Sequence, residues 1–161
     1  MLVILPTSLK SSTSKSPWES DKALIKLREG LVLGWYRDTL GKVTGGYGHL
    51  QKPGEEKIVI TQAIADRWLD QDILSARQAA IRQSDFLPFM TKHLQDVLVS
   101  VNFQLGILWY QKFKKTWALM QEGKFADAAT EAANSSWFKQ TPARVKDFQV
   151  ALREAQCLYI S

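Results

Sequence analysis

The sequence predicts an α+β fold in which a small antiparallel β-hairpin lobe is joined by a long helix to a mainly α-helical lobe. Three observations support this prediction. Between residues 31 and 60, seven glycines and prolines separate short apolar runs, which is typical of hairpins. From Thr61 to about Gln83, apolar residues recur three and four positions apart, as on one face of a long helix. The same helical period continues in shorter segments to about residue 155.

Length and composition indicate one globular domain. A chain of 161 residues is long enough to bury a core of its own. Apolar residues make up 45% of it and charged residues 23%, as in ordinary globular proteins. The net charge of +5 fits either a polyanionic partner or a mildly basic enzyme. Because the densest basic cluster is only Lys112, Lys114 and Lys115, no nucleic-acid partner is expected.

The N-terminal region differs from the rest of the chain. Residues 1–16 contain seven Ser or Thr and are predicted to form a flexible extension before a domain over residues 17–161. Pro6 interrupts the apolar stretch MLVIL, so neither a signal peptide nor a membrane span is expected. The single cysteine, Cys157, allows no internal disulfide and suggests no metal site, and we expect no metal and no cofactor.

The first helix is predicted to begin near Pro17 with Ser16 as its cap, although Ser20, followed by an aspartate, is a competing cap. Gly30 is predicted to end this helix, which leaves Glu29 at its C-terminal end. The β-rich lobe then spans about residues 31–60.

The helical lobe is predicted over about residues 61–161, together with the N-terminal helix. Thr61 is expected to cap the long helix and Thr141 the last one. The predicted helices run from Thr61 to about Gln83, Lys92 to Tyr110, Lys114 to Glu122, Phe125 to Ala133, Ser136 to Lys139 and Pro142 to Ala155. Most aromatic residues in these helices are expected to be core residues.

Three polar side chains near the start of the β-rich lobe are candidates for chemistry. Glu29 at the helix end, Asp38 and Thr44 are separated by a chain reversal that can bring them around one cleft. Two carboxyl groups facing a cleft suit glycoside hydrolysis, which needs one acid and one carboxylate.

The chain resembles the bacteriophage lysozymes and endolysins of glycoside hydrolase family 24. The resemblance rests on E-x8-D-x5-T formed by Glu29, Asp38 and Thr44, on Gly48-His49-Leu50, and on two later segments, residues 102–106 (NFQLG) and residues 136–144 (SWFKQTPAR). It covers about residues 20–155. The short connection from His49 to Thr61 resembles a class of endolysin with a simple hairpin lobe.

The resemblance implies a lysozyme-like fold and a muramidase that cuts the β-1,4 bond between N-acetylmuramic acid and N-acetylglucosamine in peptidoglycan, with inversion. Glu29 would be the general acid, Asp38 would hold and activate water, and Thr44 would position that water. Arg144 would orient the Glu29 carboxyl. Inversion fits carboxyl groups about 6.5 to 9.5 Å apart, which leaves room for the water.

The resemblance also implies roles around this centre. His49 would be structural and would form an ion pair with Asp72 on the long helix. For Phe103 and Trp137 a pure core role is a strong competing interpretation. The substrate-binding residues implied by the resemblance are Leu50, Phe103, Gln104, Thr116 and Trp137.

Two other functions compete with the muramidase interpretation. One is a catalytically weak cell-wall-binding or phage tail structural module that keeps the fold, and the other is a lytic transglycosylase, against which Asp38 and Thr44 argue. We expect peptidoglycan as the partner, a holin or a virion or tail assembly for delivery, and a monomer. The expected location is the host cytoplasm until release to the cell wall, or the virion.

Overall fold

The computed structural model describes residues 19–39 and 41–159, and within them the fold is α+β, as predicted. The predicted extension over residues 1–16 and the cap at Ser16 lie outside the described residues. The described sheet has three antiparallel strands in the order β1 (Val32–Arg37), β2 (Val43–Gly46) and β3 (His49–Leu50). The described helices are α1 (Glu19–Glu29), α2 (Gln62–Ser84), α3 (Lys92–Leu105), α4 (Lys114–Gln121), α5 (Phe125–Ala132), α6 (Ser136–Gln140) and α7 (Pro142–Leu158).

Helix α1 packs on α3 and ends at Glu29, directly before Gly30, as the sequence predicts. Its buried residues are Asp21 and Ile25, one turn apart on the face that points into the protein. Ser20 lies inside α1 rather than at its cap, and its Oγ accepts a hydrogen bond from Lys92 Nζ at 3.1 Å. The helix therefore presents the Glu29 side chain at its C-terminal end, next to the sheet.

The strand register determines which side chains share one face of the sheet. Tyr36 of β1 lies opposite Thr44 of β2, and Thr44 lies opposite Leu50 of β3. Directly opposite residues point to the same face, so these three side chains form one row across the sheet. Gly45 leaves no room for a side chain, because a Cβ there would lie 2.4 Å from Ile60 Cδ1. The glycine run in β2 thus allows close packing of the sheet on the chain that leads into α2.

Helix α2 connects the sheet to the helical body. The Thr61 hydroxyl accepts a hydrogen bond from the Ile64 N–H at 3.2 Å, which confirms the predicted cap. The helix has 23 residues and contacts both β2 and α3. Its apolar stripe, which includes Trp68 and Ile73, is buried along most of its length. No helix in the described part of the chain has the combination of length and hydrophobicity that crossing a membrane requires.

Two sequence-based expectations in the helical body are wrong. Helix α3 ends at Leu105 instead of continuing to Tyr110, because Gly106 takes a φ of +91° that a helix cannot hold. A 3₁₀ turn, Trp109–Gln111, follows and buries Trp109. The Thr141 side chain does not cap α7, because its hydroxyl donates to the Trp137 carbonyl at 3.3 Å and accepts from Gln104 Nε2 at 3.2 Å.

A buried ion pair joins α1 to the middle of α2. Arg77 donates through Nε to Asp21 Oδ2 and through Nη2 to Asp21 Oδ1, both at 2.9 Å. The Asp21 side chain is fully buried, whereas Asp70, which pairs with Lys22 on the same two helices, is 59% exposed. The first pair therefore fixes α1 much more strongly than the second.

We predict that Asp21→Ala lowers the free energy of unfolding by about 3 kcal/mol, because it leaves the Arg77 charge largely buried without this partner. The matched change Asp70→Ala, which removes an exposed pair, should cost at most about 1 kcal/mol. Urea unfolding of both variants measures the two losses. Equal losses would contradict the assignment of the buried pair as the main link between α1 and α2.

Candidate active site

The Glu29 carboxyl lies where α1, α7 and the sheet meet. Arg144, in the first turn of α7, donates from Nη2 to Glu29 Oε2 at 2.7 Å. The Arg144 side chain is 7% exposed and that of Glu29 is 21% exposed. A charge-assisted hydrogen bond in such a sheltered place holds the carboxyl in one orientation. Glu29 and Arg144, which are 115 residues apart in the chain, are thus brought together as the sequence implied.

Gly48, in the turn between β2 and β3, packs directly against the other carboxyl oxygen of Glu29. A Cβ at Gly48 would lie 2.5 Å from Oε1, and the φ of +71° is itself one that side chains rarely adopt. The turn backbone therefore forms one wall around the carboxyl group. Arg144 on one side and the Gly48 backbone on the other leave Glu29 little freedom.

A second ion pair strengthens the same junction. Arg28 donates through Nε and Nη2 to the two carboxylate oxygens of Asp147, at 2.7 and 2.8 Å. This bidentate contact raises the pKa of Arg28, first through the hydrogen bond to Asp147. Because Arg28 precedes Glu29 and Asp147 lies on α7 with Arg144, two neighbouring contacts fix the end of α1 to the start of α7.

Asp38 and Thr44 are both held by the backbone of Lys42. Asp38 Oδ1 accepts a hydrogen bond from the Lys42 N–H at 2.8 Å, and the Thr44 hydroxyl donates to the Lys42 carbonyl at 3.0 Å. The Asp38 N–H also donates to the Lys42 carbonyl, which closes the turn between β1 and β2. Because the Thr44 hydroxyl proton is used by the backbone, its oxygen is left to accept a hydrogen bond from a water molecule.

Tyr36 belongs to the site although the sequence analysis did not select it. Burial, then the charges of Glu29 and Asp38, raise the pKa of the Tyr36 hydroxyl, so the phenol lies in the field of both carboxyl groups and stays protonated. It stands opposite Thr44 in the strand register. The signal was available in the sequence, because Tyr36 precedes Asp38 by two positions and alternate strand residues share a face.

A cleft of about 470 Å³ separates the sheet from the helical body beside this centre. Leu50 on the sheet side is 49% exposed, and Phe103 of α3 lines the opposite wall, half-buried. The cleft also takes in Gly48, whose backbone touches Glu29. Leu50 and Phe103, two of the five implied substrate-binding residues, thus face each other across open space.

Of the other three implied substrate-binding residues, Thr116 and Trp137 are buried in the helical body and Gln104 is half-buried. Thr116 and Trp137 are 3% and 4% exposed, so little of either side chain is available to a ligand. Trp137 packs on Phe148 and donates its indole N–H to Gln104 Oε1 at 2.9 Å. Together with the Gln104 bond to Thr141, this contact fixes the Gln104 amide. Trp137 therefore has the core environment that its competing interpretation required.

His49 is buried between two carboxylates. Its Nδ1 lies 2.7 Å from Asp72 Oδ2, the partner expected from the sequence, and its Nε2 lies 3.0 Å from Glu55 Oε1. The ring also stacks on Trp68, with 4.1 Å between centroids. With both nitrogens engaged and 2% exposure, the imidazole has no free nitrogen to offer a substrate. The contacts tie the sheet to α2.

Glu55 is the second residue that the sequence analysis missed. It lies in the short connection after β3 and accepts a hydrogen bond from the Lys52 N–H at 2.7 Å. Burial alone would raise the pKa of this carboxyl, but the Lys52 N–H and His49 outweigh burial and lower the pKa. Its local signal was an acid three residues after Lys52, within the turn-forming segment QKPGEE.

Among the described residues, no group of three or more His, Cys, Asp or Glu side chains is arranged to hold a metal ion. The groups at the site are carboxyl groups, a hydroxyl and a guanidinium. A carboxyl held by an arginine and a second carboxylate fixed near a hydroxyl are suited to proton transfer at two positions.

Comparison with known proteins gives concordant findings. A family model described as phage lysozyme matches residues 26–154. A relative named probable T4-type lysozyme 1, from Dictyostelium discoideum, is 31% identical over 151 residues, covering 78% of this chain and 88% of the relative. Probable T4-type lysozyme 2 of the same organism is 31% identical over 148 residues, covering 76% and 87%.

We predict that Glu55→Gln destabilises the protein by about 1 to 2 kcal/mol at pH 7, because a charged partner of His49 is lost. The pKa of Glu55 is lowered by folding from its ordinary value of 4.5. Its contribution is therefore fully present above that value and disappears as the pH falls through the lower folded-state pKa. Urea unfolding from pH 7 to pH 3 should show the difference from wild type shrinking with acidity.

The neighbouring change Glu56→Gln is the control, because Glu56 is exposed and, within the described part of the chain, its carboxylate accepts only from the Gly54 N–H, at 3.1 and 3.2 Å. This variant should stay close to wild type at every pH. A Glu55→Gln deficit that is equally large at pH 7 and pH 3 would contradict the role given to the Glu55 charge.

Proposed function

The chain belongs to the phage lysozyme family, and from this premise we propose that it hydrolyses the β-1,4 bond between N-acetylmuramic acid and N-acetylglucosamine with inversion. As a lysozyme it is a glycoside hydrolase, and its substrate is bacterial peptidoglycan. The observation that carries the finer proposal is the Glu29 carboxyl, which is held by Arg144 and lies against Gly48, a residue that lines the cleft.

In this mechanism Glu29 is the general acid. It transfers its proton to the glycosidic oxygen as the bond from that oxygen to the anomeric carbon breaks. Arg144 occupies one carboxyl oxygen, so the other, Oε1, is the oxygen that carries the proton toward the substrate. After the transfer the new negative charge stays beside the Arg144 guanidinium, which stabilises it.

Asp38 and Thr44 supply the water. The Thr44 oxygen accepts one hydrogen of the water, Asp38 takes a proton from it, and the water oxygen bonds to the anomeric carbon from the face opposite the leaving sugar. The shared contacts with Lys42 support this division, because they hold the two side chains in fixed relation. The proton lost by Glu29 and the one gained by Asp38 balance over the reaction.

We further propose that the enzyme acts in phage lysis or entry. It would act on the cell wall as a monomer, after delivery from the host cytoplasm through a holin or from a virion or tail assembly. The family description and the positive net charge, which suits an anionic envelope, support this proposal. A catalytically weak wall-binding module with the same fold is the alternative, and it predicts binding without cleavage.

We predict that Glu29→Gln and Asp38→Asn each slow the clearing of a peptidoglycan suspension by on the order of 100- to 10,000-fold, because each removes one proton-transfer group. Asp85 and Glu122 are exposed, so Asp85→Asn and Glu122→Gln serve as matched controls. Both variants should clear the suspension at the wild-type rate. Mass analysis of the wild-type products should find hydrolysed reducing ends. Binding without cleavage by the wild type would support the structural module, and anhydro ends a transglycosylase.

We predict that Gly48→Ala lowers kcat by on the order of 100-fold, because its Cβ displaces the Glu29 carboxyl and misplacing a catalytic group by about 1 Å has that effect. Gly54→Ala is the control, since Gly54 also has a positive φ, +91°, but nothing lies within 4 Å of its Cβ position. That variant should share the backbone strain and retain activity. Equal activity losses in the two variants would mean that strain, rather than the Glu29 contact, is responsible.

A further inference from the structure

A second hollow lies in the helical lobe, away from Glu29, Asp38 and Thr44. We call it the α2–α4 pocket and define it by Arg82, Phe86, Leu108, Tyr110, Trp117 and Gln121. Its volume is about 350 Å³, which is within the usual range for small-molecule sites. It borders the catalytic cleft through Ile107, which lines both. None of the residues that touch the Glu29 carboxyl lines this second hollow.

The inner wall of the pocket is aromatic and firmly packed. The rings of Tyr110 and Trp117 lie with 5.3 Å between centroids, and Trp117 meets the edge of Trp109 at 5.8 Å. Trp109 is 1% exposed and donates its indole N–H to Gln83 Oε1 at 3.4 Å, so this wall is anchored in the core. Because this wall is already ordered, ligand binding would not carry the entropy cost of ordering its side chains.

The rim leaves large apolar groups in water. Phe86 is 66% exposed and Leu108 is 53% exposed, and both line the pocket. A ligand body placed between them and the aromatic wall would remove this apolar area from water, which is favourable. The shape and the exposed rim therefore favour a compact apolar ligand body.

The polar groups of the pocket are few and have one sign of charge. Among the described residues, Arg82 is the only charged one that lines the pocket, and its guanidinium makes no hydrogen bond or ion pair with any of the others. The Gln83 amide is already occupied by Asn102 and by the Ile107 carbonyl. The other polar groups of the lining are those of Gln121, Tyr110 and Trp117, and the positive charge of Arg82 disfavours a cationic ligand.

We propose that the α2–α4 pocket binds a small aliphatic or aromatic carboxylic acid as its anion. The carboxylate pairs with the planar guanidinium of Arg82, which matches a carboxylate with two parallel hydrogen bonds. The apolar body lies between Phe86 and Leu108 on the rim and Trp117 on the inner wall. The α2–α4 pocket is separate from the catalytic cleft and would let the protein bind a second class of ligand.

The test is calorimetric titration of the whole chain with sodium octanoate, together with amide chemical-shift mapping. We expect saturable one-to-one binding, with the largest shifts at Ala79, Gln83 and Leu108. Arg82→Gln should weaken the affinity for octanoate about tenfold, as expected for loss of one charge-assisted contact. Both Arg82 and Arg153 are exposed, so Arg153→Gln is a matched control that loses the same charge elsewhere and should bind as wild type does.

Octan-1-ol separates the charge contact from simple apolar binding. It should bind wild type more weakly than octanoate does, and Arg82→Gln should not change its affinity. The proposal is overturned if octanoate does not saturate, if Arg82→Gln and Arg153→Gln bind it equally, or if the shifts centre on Leu50 and Phe103 in the catalytic cleft. An unchanged melting temperature of Arg82→Gln confirms that a weaker affinity is not caused by unfolding.

Discussion

The contact between Glu29 and Arg144 is the constraint on which the site depends. It joins the last residue of α1 to the first turn of α7 at 2.7 Å, and the bidentate pair of Arg28 with Asp147 repeats the link one residue earlier. A carboxyl at a helix end would otherwise sample several rotamers in water. Because α1 and α7 are both anchored in the helical body, the helical body determines the position of the Glu29 carboxyl. The sheet must then be held next to that carboxyl by other contacts.

Contacts between the sheet and α2 hold the sheet next to the Glu29 carboxyl. His49, buried between Asp72 and Glu55, ties β3 and the short connection after it to α2. The same strand begins directly after Gly48, whose backbone touches Glu29. The imidazole therefore contributes to the site by fixing the position of β3 and of the turn before it. With both nitrogens engaged, the buried imidazole links the lobe that carries Asp38 and Thr44 to α2.

The sequence predicted features that are encoded locally. The cap at Thr61, the helix end before Gly30 and the α+β fold class all follow from spacing and residue type over a few positions. The pairing of His49 with Asp72 came from the resemblance rather than from any local pattern, and the two side chains are in contact.

Features decided by tertiary contacts were beyond local patterns. The end of α3 at Leu105 is an exception, because Gly106 is a local stop signal like Gly30, but the apolar period that continues past it favoured a longer helix. The Thr141 hydroxyl looked like a cap but bonds to Gln104 and Trp137, which only the folded chain brings near. Glu55 was missed for the same reason, since its partner is His49 across the lobe.

The central claim is that Glu29 and Asp38 act from opposite sides of one glycosidic bond, one as acid and one through water. Proton NMR of the first products from soluble peptidoglycan fragments, recorded before the anomers equilibrate, tests it most directly. If Glu29 and Asp38 act in this way, the new reducing ends appear first as the α anomer, because water enters opposite the leaving sugar of a β bond. Reducing ends that appear first as the β anomer would contradict it.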